Sequence, residues 1–137
     1  MTLPSAEAEI LVPFNDCDPL GIVWHGNYTR YFEVARCLLL EKIGYNYTQM
    51  LDSGYAWPVI DLHLRYVKAI RFNQRIIVAA TIEEWEYRLK IAYAVRDAGN
   101  GERLAKGHTI QVAVTVPDFE MQYASPDILA DKLGLKP

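Results

Sequence analysis

The chain is poor in several things that would have narrowed its function at once. Its 137 residues hold only two cysteines, Cys17 and Cys37. These have neither a redox nor a metal-ligand spacing, and nothing requires a bridge between them. A disulfide scaffold is therefore excluded as the basis of the fold, and a reduced, cytoplasmic setting is expected. Charge of one sign is also scarce. Fourteen basic residues stand against 17 acidic ones, for a formal charge of −3, which gives no general attraction to nucleic acid or an anionic membrane. Local basic clusters can still hold a small anion. No run reaches the roughly 18 apolar residues that span a bilayer. The opening MTLPSAEAEILVPF has neither a basic start nor a long apolar stretch, so no secretory signal is expected. Repeats, low-complexity tracts and linkers are lacking too, and residues 1–137 are expected to form a single domain.

What is present is patterned. With 51% hydrophobic and 23% charged residues, the composition is that of a folded globular protein rather than a disordered one. Residues 6–14 (AEAEILVPF) read as a first strand. YTRYFEVARCLLLEKIG, residues 28–44, has helical spacing with apolar residues over most of its circumference, which marks a buried helix. Gly44 is a plausible stop, and NYTQMLDSG suggests a short second helix or turn. The period then changes. Ile60, Leu62, Leu64 and Tyr66 alternate with polar residues as in a half-buried strand. Residues 76–85, 88–96 and 102–116 read as three more strands, the last a long one. Ser125 is the expected N-cap of a final short helix, with Pro126 at its first position. Strands joined by short turns pair antiparallel. A helix that is apolar on most sides needs cover from several directions, so an α+β domain with a curved sheet around the helix is expected, closed further by a second subunit.

The polar chemistry gathers at one junction, NDCDPLGIVWHGNY, residues 15–28. Pro19-Leu20-Gly21 suits a tight turn. The helix is expected to begin between Trp24 and Tyr28, so its unpaired N–H groups share a small volume with Asp16 and Asp18. A helix N-terminus stabilises a developing oxyanion, and a nearby carboxylate attacks a carbonyl or activates water. The plain alternative is a helix cap, for which Asp and Asn are favoured. His25 alone reads as a surface or capping residue, and the spacing of Asp16, Asp18 and His25 matches no standard metal site. Trp57-Pro58 lies before a strand and either lines a pocket or packs.

FNDCDPLGIVWHGNYTRYFEVAR resembles the active-site segment of hotdog-fold acyl-CoA thioesterases, in particular the 4-hydroxybenzoyl-CoA thioesterase and YbgC-type group. The shared pattern falls on Asp16, Asp18, Gly21, Val23, Trp24, His25 and Tyr28, and the element order is that of a hotdog fold of about five strands. The resemblance implies that Asp18 is the catalytic carboxylate, acting as nucleophile or general base. It implies that backbone N–H groups around Trp24 and His25 polarise the thioester carbonyl, with Asp16 bracing the turn. Phe14, Cys17, Pro19, Ile22 and Trp24 look like the hydroxybenzoyl branch. His25 and the Glu33, Ala35, Arg36 pattern look like the YbgC branch, where that histidine sits beside the aspartate and a tyrosine usually stands at the position of Phe14. Tyr28 belongs to the substrate side of the motif. Glu33 sits where relatives carry a carboxylate that meets a phenol, or simply pairs with Arg36. Arg88 and Lys90 share a strand face and either bind coenzyme A phosphates or form a solvated face.

The implied activity is hydrolysis of an aryl- or acyl-CoA, 4-hydroxybenzoyl-CoA-like or short-chain aliphatic. No metal or bound cofactor is expected, and the implied state is a homodimer or homotetramer. Two competitors are a hotdog dehydratase, which needs a histidine paired with a carboxylate across the sheet, and a non-catalytic acyl-CoA binding module.

Overall fold

A computed structural model describes residues 3–135. Strand β1 (Ser5–Leu11) stops short of Pro13, which has no N–H for the ladder, and the chain turns through a 3-10 segment, Phe14–Asp16. The first strand is thus shorter than the expected 6–14, and Phe14 lies in the open, 76% exposed. A second 3-10 turn (His25–Asn27) leads into α1 (Tyr28–Lys42), within the expected start window. Tyr28, Tyr31, Phe32, Ala35, Leu39 and Leu40 form its buried face. Cover is narrower than the sequence suggests, because Val34, Cys37 and Leu38 remain exposed.

Helix α2 (Tyr47–Asp52) starts from a capping box: Asn46 accepts the Gln49 N–H, and the Gln49 side chain accepts the Asn46 N–H. After β2 (Tyr55–Ala56) come β3 (Val59–Tyr66), β4 (Arg75–Glu84), β5 (Leu89–Asp97), β6 (Arg103–Gln111) and β7 (Val114–Thr115). The main sheet is antiparallel in the order β1-β4-β5-β6-β3, and β2 pairs with β7 beside it. Ile76, Val78, Ala80 and Ile82 of β4 and Leu89, Ile91, Tyr93 and Val95 of β5 alternate inward onto α1. Phe32 stacks on Tyr93 at 4.5 Å between ring centroids, locking helix to sheet. This is the hotdog arrangement.

Three expectations shift. The long strand 102–116 divides, since β7 leaves the main sheet to pair with β2 while Val112 and Ala113 stay buried between. At the last helix, α3 (Asp127–Lys132), Pro126 rather than Ser125 holds the N-cap position, in an extended conformation and without a side-chain cap bond. The apolar face of β3 is not half-buried. Ile60, Leu62 and Tyr66 are each 44–56% exposed, because β3 is the sheet's outer strand and nothing in the chain covers it.

Candidate active site at the start of the central helix

The junction is a tight loop pinned from both sides. Asp18 N–H donates to Ile22 O (2.9 Å) and Gly21 N–H to Asp18 O (2.9 Å). Gly21 takes a positive φ of 77° to close this turn. The segment after β3 holds the loop from outside: Val23 N–H donates to Ile70 O and Phe72 N–H to Gly21 O. Tyr66 adds a hydroxyl bond to His25 O (2.9 Å).

The two aspartates are treated oppositely. Asp16 is buried, accepts the Tyr31 hydroxyl at 2.7 Å and pairs with Arg30. Its carbonyl accepts Trp24 N–H (3.0 Å) and the Asn27 side chain (2.9 Å). It ties the loop to the helix start, and its carboxylate is fully engaged. Asp18 is half-buried, and its Oδ1 accepts only the Leu20 N–H at 2.8 Å. No protein group takes its other oxygen among the described residues. Partial burial, then the Asp16 and Asp18 charges, push the Cys17 thiol up, which keeps it from serving as a thiolate nucleophile.

Asp18, His25 and Tyr28 line one cavity of about 260 Å³ together with Ile22, Tyr66 and Lys68. Tyr28 is buried and stacks edge-on against Tyr66 at 4.7 Å; burial raises its phenol above the ordinary tyrosine range. The Trp24 N–H is not open to a substrate oxygen, being spent on Asp16. His25 and Gly26 N–H, at the same helix entry, have no partner among the described residues. The Trp24 indole packs over Gly26, where any Cβ would collide with the ring, and against the His25 imidazole at 5.0 Å. The imidazole forms no hydrogen bond to Asp18.

The remaining expected residues lie elsewhere. Glu33 pairs with Arg36 on α1. Arg88 pairs with Glu84 (2.8 Å) and Lys90 with Glu83 (3.5 Å), and neither lines a cavity with Asp18. Trp57 is buried, donates its indole N–H to Tyr45 Oη (3.1 Å), and lines a second, larger cavity of about 690 Å³. Tyr66 and Lys68 join the Asp18 cavity from about fifty residues downstream of Asp18, and no local pattern announces them. Among the described residues no group of three or more His, Cys, Asp and Glu side chains is placed to hold a metal ion.

A long helix gripped by a five-stranded antiparallel sheet is the hotdog architecture, and the family match makes the chain a hotdog thioester hydrolase. Residues 12–120 match the thioesterase-like superfamily, and the chain belongs to that family. It is 28% identical over 126 residues to YneP of Bacillus subtilis, whose name assigns it to the acyl-CoA thioesterases; the match covers 89% of this chain and 91% of that protein. It is 27% identical over 77 residues to a Pseudomonas 4-hydroxybenzoyl-CoA thioesterase, covering 54% of this chain and 55% of the relative. The solved DHNA-CoA thioesterase of Staphylococcus aureus superposes with a TM-score of 0.78 at 28% identity, over 87% of this chain and 80% of that one.

Proposed function

We propose that the protein hydrolyses acyl-CoA thioesters to the free acid and coenzyme A, with Asp18 as the reacting carboxylate. One observation carries the reading: Asp18 keeps an unpartnered oxygen in a cavity whose wall also includes His25, and the His25 N–H is unspent. The other aspartate two residues away is fully bonded. As general base, Asp18 takes a proton from water while the water oxygen bonds to the thioester carbon. The carbonyl oxygen gains negative charge, which the helix-entry N–H groups of His25 and Gly26 stabilise. The C–S bond then breaks and the thiolate takes the proton. As nucleophile, the carboxylate forms a mixed anhydride, expels the thiolate, and is freed by water. In labelled water, a single turnover that leaves solvent oxygen in Asp18 marks an anhydride opened at the aspartyl carbon, which the general-base route never forms.

The family and the YneP likeness support the CoA-ester class. Release of CoA, followed with a thiol reagent over a panel of aryl- and acyl-CoA esters, tests it. Asp18→Asn is expected to lose at least about a hundredfold in kcat while keeping its fold. Saturable binding by calorimetry without turnover in the wild type would instead mark a binding module.

The working unit is a dimer through β3. Val67 N–H donates to Leu104 O of β6, so the amides of Leu62, Leu64 and Tyr66 point to the free edge. A two-fold axis through His63 sets Asp61 opposite the partner's Arg65 and Leu62 opposite the partner's Leu64. Toward the strand's end it brings Ile60 near the partner's Tyr66, beside the register shift that β3 carries between Val59 and Asp61. Every apolar residue then meets an apolar one, and each charge meets its opposite.

A further inference from the structure

Most backbone groups at the helix entry are engaged within the loop itself. Trp24 N–H donates to Asp16 O (3.0 Å), and Trp24 O accepts the Asn27 N–H (2.9 Å). Gly26 O accepts the Thr29 hydroxyl (3.3 Å). His25 O is held differently, because the hydroxyl it accepts at 2.9 Å belongs to Tyr66, 41 residues away on β3. The peptide unit that offers this carbonyl also carries the Gly26 N–H. It is a trans peptide, in which C=O and N–H point in opposite directions. A hydroxyl bonded to His25 O therefore fixes where the Gly26 N–H points, off the open end of the helix. The same bond polarises the peptide and strengthens that N–H as a donor.

We infer that Tyr66 is a positioning residue for the reaction: its hydroxyl holds the His25–Gly26 peptide so that the Gly26 N–H meets the developing oxyanion. The inference rests on the thioesterase reading. Tyr66 is placed for this role by the sheet, not by the loop. Its backbone pairs with Ala105 of β6, and the two following amides, of Val67 and Lys68, both donate to Leu104 O. The ring stands edge-on to Tyr28, the buried first residue of α1, at 4.7 Å and 76°. Strand and helix thus set the ring, and the ring sets the hydroxyl. The Trp24 indole packs on Gly26, and Tyr66 adds the directional restraint that an apolar contact lacks. Stability does not account for the bond. Tyr66 is 48% exposed, and there water replaces a lost hydroxyl partner at little net cost. A bond worth little to folding, made to the peptide that carries an unspent N–H, has its consequence in the reaction. Tyr66 also walls the cavity that holds Asp18, His25 and Tyr28, so the variant must remove the hydroxyl and keep the ring.

The test is Tyr66→Phe in the full-length protein, alone and combined with Gly26→Ala, on the CoA ester that wild type turns over fastest. Phenylalanine keeps the wall and the contact with Tyr28. kcat is expected to fall about tenfold with KM within about twofold, because the lost orientation matters once the carbonyl oxygen gains charge. The melting temperature should be nearly unchanged. If Tyr66 acts through the His25–Gly26 peptide, the double variant loses no more than Gly26→Ala alone, about tenfold. Independent action would multiply the two losses to about a hundredfold. A multiplied loss, a raised KM at wild-type kcat, or no loss overturns the role. A second measurement needs no turnover. The amide nitrogen resonance of Gly26 senses hydrogen bonding at the preceding carbonyl. It is expected to move upfield in Tyr66→Phe, while that of Gly21 in the same loop stays in place. An unmoved Gly26 signal overturns the restraint on the peptide. A wild type inactive on every ester removes the thioesterase reading, and with it the role in the reaction, whatever the Gly26 signal shows.

Discussion

Two aspartates two residues apart show how much a side chain's role depends on what already holds it. Asp16 is the acceptor for the buried Tyr31 hydroxyl and for Arg30, whose side chain is half exposed. Asp16→Ala leaves that phenol without an acceptor, and its expected cost is about 2 kcal/mol in urea unfolding. Asp18→Asn keeps the Leu20 contact and is expected to unfold with the wild type. Equal destabilisation by the two changes would sink this division of roles. A second residue-scale consequence concerns Tyr93, which is buried and bonded to Thr109 at 2.8 Å. Burial pushes its phenol up to about 12. The fold thus holds Tyr93 protonated where the unfolded chain ionises it near 10. Its contribution is full below pH 10 and is lost as pH rises toward 12, worth about 2–3 kcal/mol by linkage. Far-UV circular dichroism and phenolate absorbance followed together from pH 9 to 12 are expected to show unfolding accompanying ionisation. Tyr93→Phe should shift the loss to higher pH; an unchanged transition assigns alkaline unfolding to other groups.

At the scale of elements, the helix entry is set by a glycine rather than by a cap. Asn27 precedes α1 without a side-chain cap bond, and the Trp24 indole occupies the space a Cβ at Gly26 would need. Gly26→Ala is therefore expected to push the indole away and turn the neighbouring His25 N–H. The expected result is a kcat about tenfold lower at nearly unchanged melting temperature. A variant with wild-type kcat would remove that N–H from the mechanism. Much of this architecture was legible from sequence pattern: α1 from its 3.6-residue repeat, β5 from strict alternation, β4 from a short apolar run, and the helix entry from the turn that precedes it. The loss of β6 after Gln111 was not, because Val112 and Ala113 continue the apolar run while the chain changes partners. Nor was the exposure of β3, since alternation reports which face is apolar and not whether anything covers it. The Asp18 loop was legible as a candidate site, whereas Tyr66 and Lys68 join its cavity through tertiary contact alone. Trp24 shows a further limit. Its position in the motif suggested an available N–H, and only the fold reveals that Asp16 O already takes it.

For the whole molecule, the two edges of the sheet make opposite statements. On β1, Glu7 pairs across the sheet with Arg96 (2.9 Å) and Glu9 with Arg75 (3.6 Å). Charges so placed blunt an edge against further pairing. The β3 edge carries Ile60, Leu62, Tyr66 and Val67, all exposed, and a long apolar edge of this kind invites another strand. The proposed two-fold axis through His63 would satisfy it and would leave a charge signature that can be measured. Light scattering after size exclusion is expected to show at least a dimer at micromolar concentration. Asp61→Arg sets it against the partner's Arg65 at two symmetry-related places and should shift the protein toward monomer. Adding Arg65→Asp restores opposite charges in the reversed sense and should recover the dimer. Thioesterase activity should follow the same order, falling with the single change and returning with the double, because neither residue lines either cavity. A monomeric wild type would overturn pairing through β3. A dimer indifferent to both changes would keep an assembly but move its axis away from His63.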